Sequence, residues 1–315
     1  MIVSASRRTD IPTYYSDWFF NRIKAGYVLV RNPINFHQVS KISLSKDIVD
    51  GIVFWTKNPI PMMGRLGEIK DYPYYFQLTL TAYGKDVEPN IPSKNEYIIP
   101  AFQQLSRQIG KERVVWRYDP IFLNDIYTME YHCRYFEALA NRLYPYTNQC
   151  TVSFIDYYQK TQRNTKSLHI VEMALEQKLE LMEKFSFIAS KYGLAMDTCA
   201  EEIDLSQFGI RHAHCIDKRR LEKIGGFALN VEKDKNQRLE CGCMASVDIG
   251  MYHTCKNGCL YCYANVNDKT AYKNFEKHNK NSPLLYGELT AEDVVKERKL
   301  TSCQNGQLQR CTKGT

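Results

Sequence analysis

The sequence predicts an α/β fold on a parallel sheet, a (β/α) barrel of TIM type, partial or complete. Three observations lead there. Short β-branched or aromatic runs are each followed by an amphipathic segment, which is the pattern of repeated βα units. The 315 residues, 44% hydrophobic, suffice for one large domain of that kind. Most of these runs end in clusters of charged or hydrogen-bonding residues, as the carboxyl ends of strands around an active site do.

In chain order, Ile2 to Ala5 is a strand ending in Ser4-Ala-Ser-Arg-Arg-Thr-Asp10, and Tyr14 to Lys24 is the helix after it, with Asp10 as its cap. Residues 27–45 interrupt the alternation. Val28-Leu29-Val30 and Ile42-Ser43-Leu44 flank Asn32-Pro33-Ile34-Asn35, which reads as a β-hairpin insert. Strands follow at Ile52 to Thr56, Tyr75 to Thr81, Val114 to Tyr118, Thr151 to Ile155, Leu194 to Asp197 and Ser246 to Ile249. Helical spacing of apolar residues marks Ile98 to Ile109, Glu130 to Leu143 and Val171 to Lys191, the last carrying Met173, Leu175, Leu179, Met182, Phe185 and Ile188. Beyond Asn265 the chain turns polar and lysine-rich. One helix is expected there, Ala291 to Lys299, with Thr290 as N-cap and Asp293 at the capping-box position, and the last fifteen residues read as a tail. Residues 1–265 thus form a body that includes a cysteine-rich segment, 199–265, and residues 266–315 a basic extension.

No export signal and no apolar stretch of membrane-spanning length is visible, so a cytoplasmic protein without a membrane partner is expected. Eleven cysteines in a reducing compartment favour metal or redox chemistry over a disulfide framework. Residues 216–315 hold 17 Lys or Arg against 12 Asp or Glu, a surplus suited to nucleic acid or simply to a solvated face. No glycine-rich phosphate loop and no serine elbow follows any strand, which excludes the common nucleoside triphosphatases and serine hydrolases.

The chemistry concentrates in Cys255-Lys-Asn-Gly-Cys259-Leu-Tyr-Cys262. This spacing can wrap three thiolates around one face of a cuboidal iron–sulfur cluster and leave the fourth iron open. Gly258 permits a tight turn over the sulfides, and Tyr261 can lay its ring against a bound ligand. The alternative is a zinc site completed by His253, Cys241 or Cys243. A second set, Cys199, Cys215, Cys241 and Cys243, comes from three segments and could hold an auxiliary cluster or zinc, or be buried structural cysteine. Cys133 and Cys150 are assigned to the core; Cys303 and Cys311 lie in the tail. Arg7 and Arg8 could clamp a phosphate or carboxylate of the substrate, or serve the fold. Arg117 and Asp119 are expected to pair at the sheet's mouth, where they can also bind ligand. Glu201 and Glu202 are adjacent and cannot both face one site, so one of them is a candidate for a ribose hydroxyl or a substrate amine.

The three-cysteine loop, with an aromatic residue before its last cysteine, resembles the hallmark of the radical S-adenosylmethionine superfamily. That resemblance implies a four-iron, four-sulfur cluster on Cys255, Cys259 and Cys262, whose open iron chelates S-adenosylmethionine. It further implies an electron donor such as flavodoxin or ferredoxin and a 5′-deoxyadenosyl radical that abstracts hydrogen from a substrate. Superfamily members carry the loop after their first strand; here it follows the last, which implies a circularly permuted barrel. Ser4 to Asp10, Phe54-Trp-Thr-Lys-Asn-Pro59, Trp116-Arg-Tyr-Asp-Pro120, Cys199-Ala-Glu-Glu202, Cys215-Ile-Asp217 and Cys241-Gly-Cys243 resemble the pattern of the bacterial domain of unknown function family 1848. A weaker similarity to spore photoproduct lyase rests on the cluster loop, Thr56-Lys57 and Arg117 to Pro120. It implies that Lys57 contacts the carboxylate of S-adenosylmethionine, with Tyr261, Arg117 and Glu201 as further cofactor-binding candidates. The rival expectation is a zinc- or cluster-stabilised nucleic-acid-binding protein without catalysis, its contacts made by the basic C-terminal third.

Overall fold

The computed structural model describes residues 1–307. Along the chain run β1 (Ile2–Ala5), α1 (Ile11–Tyr14), α2 (Ser16–Ala25), β2 (Tyr27–Arg31), β3 (Gln38–Ser43), β4 (Gly51–Thr56), α3 (Ile60–Met63), β5 (Tyr74–Thr79), α4 (Ile99–Ile109) and β6 (Val114–Ile121). There follow α5 (Met129–Leu143), β7 (Gln149–Phe154), α6 (Gln159–Asn164), α7 (Leu175–Lys191), β8 (Ala195–Thr198), β9 (Arg211–His212), α8 (Lys218–Gly225), β10 (Phe227–Leu229), β11 (Val247–Asp248), α9 (Asp268–Glu276), β12 (Val294–Glu297) and β13 (Gln304–Gln307).

Eight of these strands form one sheet in the order β11-β1-β4-β5-β6-β7-β8-β9, every neighbouring pair parallel. Among the described residues the edge strands β11 and β9 are not paired with each other, so the sheet is open rather than closed. Strand alternation sorts its two faces. Val3, Ile52, Phe54, Phe76, Val114 and Trp116 join the main core with the apolar sides of α2, α4, α5 and α7. Aromatic packing knits that layer, with Phe136 stacked on Phe185 at 4.0 Å and on Trp116 at 5.0 Å. The residues between them, Ile2, Val53, Tyr75 and Val115, face the opposite way and pack beneath Ala213, Cys215, Ile216, Leu221, Cys241 and Cys243. Residues 213–246 run from the β9 edge to the β11 edge of the sheet, and Tyr75 and Gln77 pin this run by donating to the Cys215 carbonyl at 2.7 and 2.9 Å.

The hairpin expected over residues 27–45 is present as β2 and β3. The helix expected over 291–299 is not: its centre is β12, paired in parallel with β3. Asp293 does accept the Thr290 N–H at 2.8 Å, as a capping carboxylate would, but Arg31 takes the same carboxylate in a two-pronged contact of 2.5 and 2.8 Å. That clamp, the β-branched Val294 and Val295 and the open hairpin edge together outweigh local helix propensity. The tail expectation is corrected as well, because β13 pairs with β10 and Cys303 borders the apolar cluster around Cys215, Cys241 and Cys243. Cys311 lies outside the described residues. Short helices α8 and α9 were not foreseen; the first is capped by Asp217 and the second by Asn267. No helix among the described residues is long and apolar enough to cross a membrane.

Candidate functional site

At the carboxyl ends of the strands, polar side chains cross-link one loop to the next. Asp248, at the end of β11, accepts the Ser4 hydroxyl at 2.9 Å, the Arg7 N–H at 2.8 Å and the Gly250 N–H at 2.9 Å. The loop after β1 is therefore shaped by the strand that precedes the cysteines. Asp10 caps the one-turn α1 through the Thr13 N–H rather than the helix expected over 14–24, whose counterpart α2 has no side-chain cap, and it also accepts the Thr56 hydroxyl at 2.7 Å, the Lys57 N–H at 2.9 Å and the Asn257 side-chain amide at 3.1 Å. One buried carboxylate thus joins the loops after β1, β4 and β11.

The cysteine loop is seated by its own backbone. Gly258 has φ +68°, and a Cβ there would stand 2.8 Å from Asn90 Nδ2 and 3.0 Å from Pro89 Cγ, so the sequence needs glycine at this point. The Leu260 N–H donates to the Val87 carbonyl at 3.0 Å, and the Asn265 amide holds the Cys255 carbonyl at 2.6 Å. None of the three thiols is in a disulfide, and burial pushes that of Cys259 up to about 12. A bound cation reverses that balance and leaves thiolate.

Next to the loop is a buried charge cluster that the sequence did not reveal. Glu88, 1% exposed, meets Lys57 Nζ at 2.8 Å, Lys94 Nζ at 2.5 Å and the Thr81 hydroxyl at 2.9 Å, and it accepts the Tyr261 hydroxyl. Burial alone would raise the carboxyl pKa, but the two ammonium groups outweigh it and hold the value at about 2. Lys57 also lies over the Tyr261 ring, 5.4 Å from its centroid. Lys57 and Tyr261 are thereby coupled to each other through Glu88.

Arg117, 4% exposed, donates from Nε to Asp119 at 3.1 Å, completing the expected pair, while Asp119 also accepts the Ser153 hydroxyl. Its Nη1 is 3.3 Å from Gln77 Oε1 and 3.1 Å from Cys215 Sγ, and its guanidinium lies over Trp55 at 5.3 Å. Arg7 covers the same indole at 5.7 Å. Arg8 instead lies over Tyr252 at 5.2 Å with Nε 4.0 Å from Asp248.

The second cysteine set converges. Cys215 Sγ is 3.3 Å from Cys199 Sγ, and Cys243 is within thiol hydrogen-bonding reach of both Cys215 and Cys241. Both cysteine groups, with Arg7, Lys57, Arg117 and Tyr261, line one cavity of about 890 Å³. Glu201 is not on its wall. Its carboxylate accepts the Phe154 N–H at 2.8 Å and so secures the end of β7, while burial raises its pKa to about 7. Of the zinc ligands considered, Cys241 and Cys243 sit with Cys215, and His253 Nδ1 accepts the Val266 N–H at 2.9 Å. Among the described residues, no three His, Cys, Asp or Glu side chains stand as a ready shell for a single ion. Thiolates bound to different irons of a cluster do not share one centre, so this geometry leaves cluster ligation open.

Residues 2–264 match the family model described as Domain of unknown function (DUF1848). The chain belongs to this family. Every residue named in the DUF1848 site above lies inside that span except Asn265 and Val266, and the β12 and β13 segments follow it. No curated protein matches the chain. Among solved structures, one described as a candidate alpha-L-fucosidase from Bacteroides thetaiotaomicron VPI-5482 is 10% identical over 72% of this chain and 81% of that one, with a TM-score of 0.26. A likeness that slight carries no argument about the DUF1848 site.

Proposed function

We propose that this DUF1848 protein is a radical S-adenosylmethionine enzyme. The observation that carries the reading is the single cavity on which Cys255, Cys259 and Cys262 stand beside Lys57, Arg117 and Tyr261, at the carboxyl ends of parallel strands. The donor set fits the cofactor: three unpaired thiols on one tight loop, beside an asparagine, Asn265, whose buried side-chain oxygen has no partner. When bound, a four-iron, four-sulfur cluster supplies the electron that cleaves S-adenosylmethionine to a 5′-deoxyadenosyl radical, and a flavodoxin- or ferredoxin-like donor would reduce it.

The protein's own part is orientation, charge and exclusion of water. Lys57, kept cationic by Glu88, offers an ammonium to a carboxylate, and Tyr261 offers an aromatic face bordered by Tyr83 at 5.9 Å. Arg117 and Arg7 supply further positive charge across the cavity over Trp55, suited to an anionic or aromatic substrate. Arg8 and Asp119 stand on the same wall as further substrate contacts. We also read the open sheet as a partial TIM-type barrel whose chain has been circularly permuted. In support, β11, which bears the cysteine loop, occupies the edge beside β1, the place of a first strand, although it is the last of the sheet's eight strands in the chain.

Protein purified without oxygen is expected to be brown, to contain iron and acid-labile sulfide, and to release 5′-deoxyadenosine from S-adenosylmethionine on reduction. Cys259→Ala should abolish that release with the fold retained. Colourless protein carrying zinc alone would overturn the reading and return the field to a metal-stabilised nucleic-acid-binding protein.

A further inference from the structure

We propose that Cys199, Cys215, Cys241 and Cys243 form a second, separate metal centre, a four-thiolate site for one tetrahedral ion of the zinc class. Three independent features point to it. The first is convergence: the four thiols come from the end of β8, a residue two before the α8 cap Asp217 and a Cys-Gly-Cys turn, yet all line the same cavity and all are unpaired. Gly242 makes the approach feasible, because a Cβ at that position would stand 2.6 Å from His214 Nδ1 and 2.8 Å from the Ala213 carbonyl. His214 locks the contact through the Gly242 carbonyl at 2.6 Å.

The second is spacing. Zinc–sulfur bonds of about 2.3 Å at tetrahedral angles hold two thiolates about 3.8 Å apart. As they stand, no three of these thiols surround one centre; Cys199 and Cys215 are 3.3 Å apart, and side-chain rotation of about half an ångström would bring that pair to ligand distance. Thiolates on different irons of a cubane lie farther apart still, which favours the single ion here.

The third is charge. Four thiolates on a divalent ion carry a net double negative charge, which an apolar site tolerates only beside cations. Two guanidinium groups are there. Arg117 Nη1 reaches Cys215 Sγ at 3.1 Å, and Arg7 lines the same cavity as the four cysteines. Arg7 has no carboxylate within ion-pair distance of its side chain among the described residues. The run that carries three of the four cysteines is also the one that returns the chain across the sheet from β9 to β11. A metal at this point would fasten that return.

The site is tested on the Cys255→Ala, Cys259→Ala, Cys262→Ala triple variant, which removes the first loop's ligands. Elemental analysis is expected to find about one zinc per chain and no acid-labile sulfide, and Cys241→Ser with Cys243→Ser added should lower the zinc at least tenfold. Zinc-edge X-ray absorption on the wild-type protein, which needs no folded variant, is expected to give four sulfur neighbours at about 2.3 Å. Cobalt in place of zinc should show the strong thiolate-to-metal charge-transfer band of a four-sulfur site. Metal-free triple variant, zinc with fewer than four sulfur neighbours, a Cys199–Cys215 disulfide, or iron with sulfide in the triple variant would each overturn the proposal. The test is independent of the radical-enzyme reading, because wild-type iron and 5′-deoxyadenosine release report on the first loop alone.

Discussion

Glu88 Oε1 lies 2.8 Å from Lys57 Nζ and accepts the hydroxyl of Tyr261, so one carboxylate sets both side chains beside the cysteine loop. Glu88→Gln would leave the ammonium groups of Lys57 and Lys94 buried together without a counter-charge. Breaking a buried pair in this way costs about 3–5 kcal/mol. Denaturant unfolding should show a loss of that order, and 5′-deoxyadenosine release should fall more steeply than iron content, because the loop's ligands remain. An unchanged unfolding midpoint would remove Glu88 from this role.

His132 predicts how stability falls in acid. The ring is fully buried, with Nδ1 2.7 Å from the Tyr118 hydroxyl and Nε2 2.9 Å from the Phe122 carbonyl, a pattern the neutral ring satisfies with Nε2–H donating and Nδ1 accepting. Burial lowers its pKa from 6.5 to about 4, so between those values the unfolded chain binds a proton that the folded chain refuses. Stability is therefore full above pH 6.5 and declines as pH falls towards 4, by about 3 kcal/mol in total. His132→Gln should flatten that slope in urea titrations across the window, and an equal slope in both proteins would refute the assignment.

Gly258→Ala tests the seat of the cysteine loop. The positive φ and the nearness of Pro89 cost on the order of 1 kcal/mol in stability, but the larger effect should be on the loop's shape. Anaerobically prepared variant is expected to hold less than half the wild-type iron per chain, measured colorimetrically, with far-ultraviolet circular dichroism unchanged.

Asp50 closes the chain on itself. It is fully buried, pairs with the Met1 ammonium, and accepts the Ser302 hydroxyl at 2.5 Å and the Cys303 N–H at 2.7 Å. Asp50→Asn leaves a buried ammonium unpaired, a loss of about 3–5 kcal/mol. Limited proteolysis should then cut the segment after Thr301 faster than in wild type; equal rates would count against the closure.

Seven of the sheet's eight strands, the hairpin and four of the long helices were legible because period-two and period-3.6 patterns survive in single sequences, whereas the two-residue β9 is too short to carry a pattern. The Arg117–Asp119 pair, Asp10 as a capping residue though not of the helix expected, and the core places of Cys150 and Cys133 were legible for a related reason: each is set by local geometry or simple burial. Glu88 and Asn257 were not, since they act through partners far along the chain and sit in loops without periodicity. Asp248 was hidden inside a strand where an acidic residue carries no signal of what it will receive. Glu201 stood out by its place at a strand end, yet the Phe154 N–H claims it. Residues 291–299 mislead because a capping carboxylate and a clamp for Arg31 look alike in sequence.

The pairing of β12 with β3 bears on where this protein can be divided. Trp18 gives its indole N–H to the carbonyls of Ser282 and Leu284, and Arg31 commits its guanidinium to Glu288 and Asp293. A chain ending at residue 264 would strip these donors of their protein partners, expose the apolar surface packed around them and bare the hairpin's edge. Kinship with the family ends before the cooperative unit does, so the shared stretch by itself should be a poor folder, and the segment beyond it should melt together with the sheet instead of ahead of it.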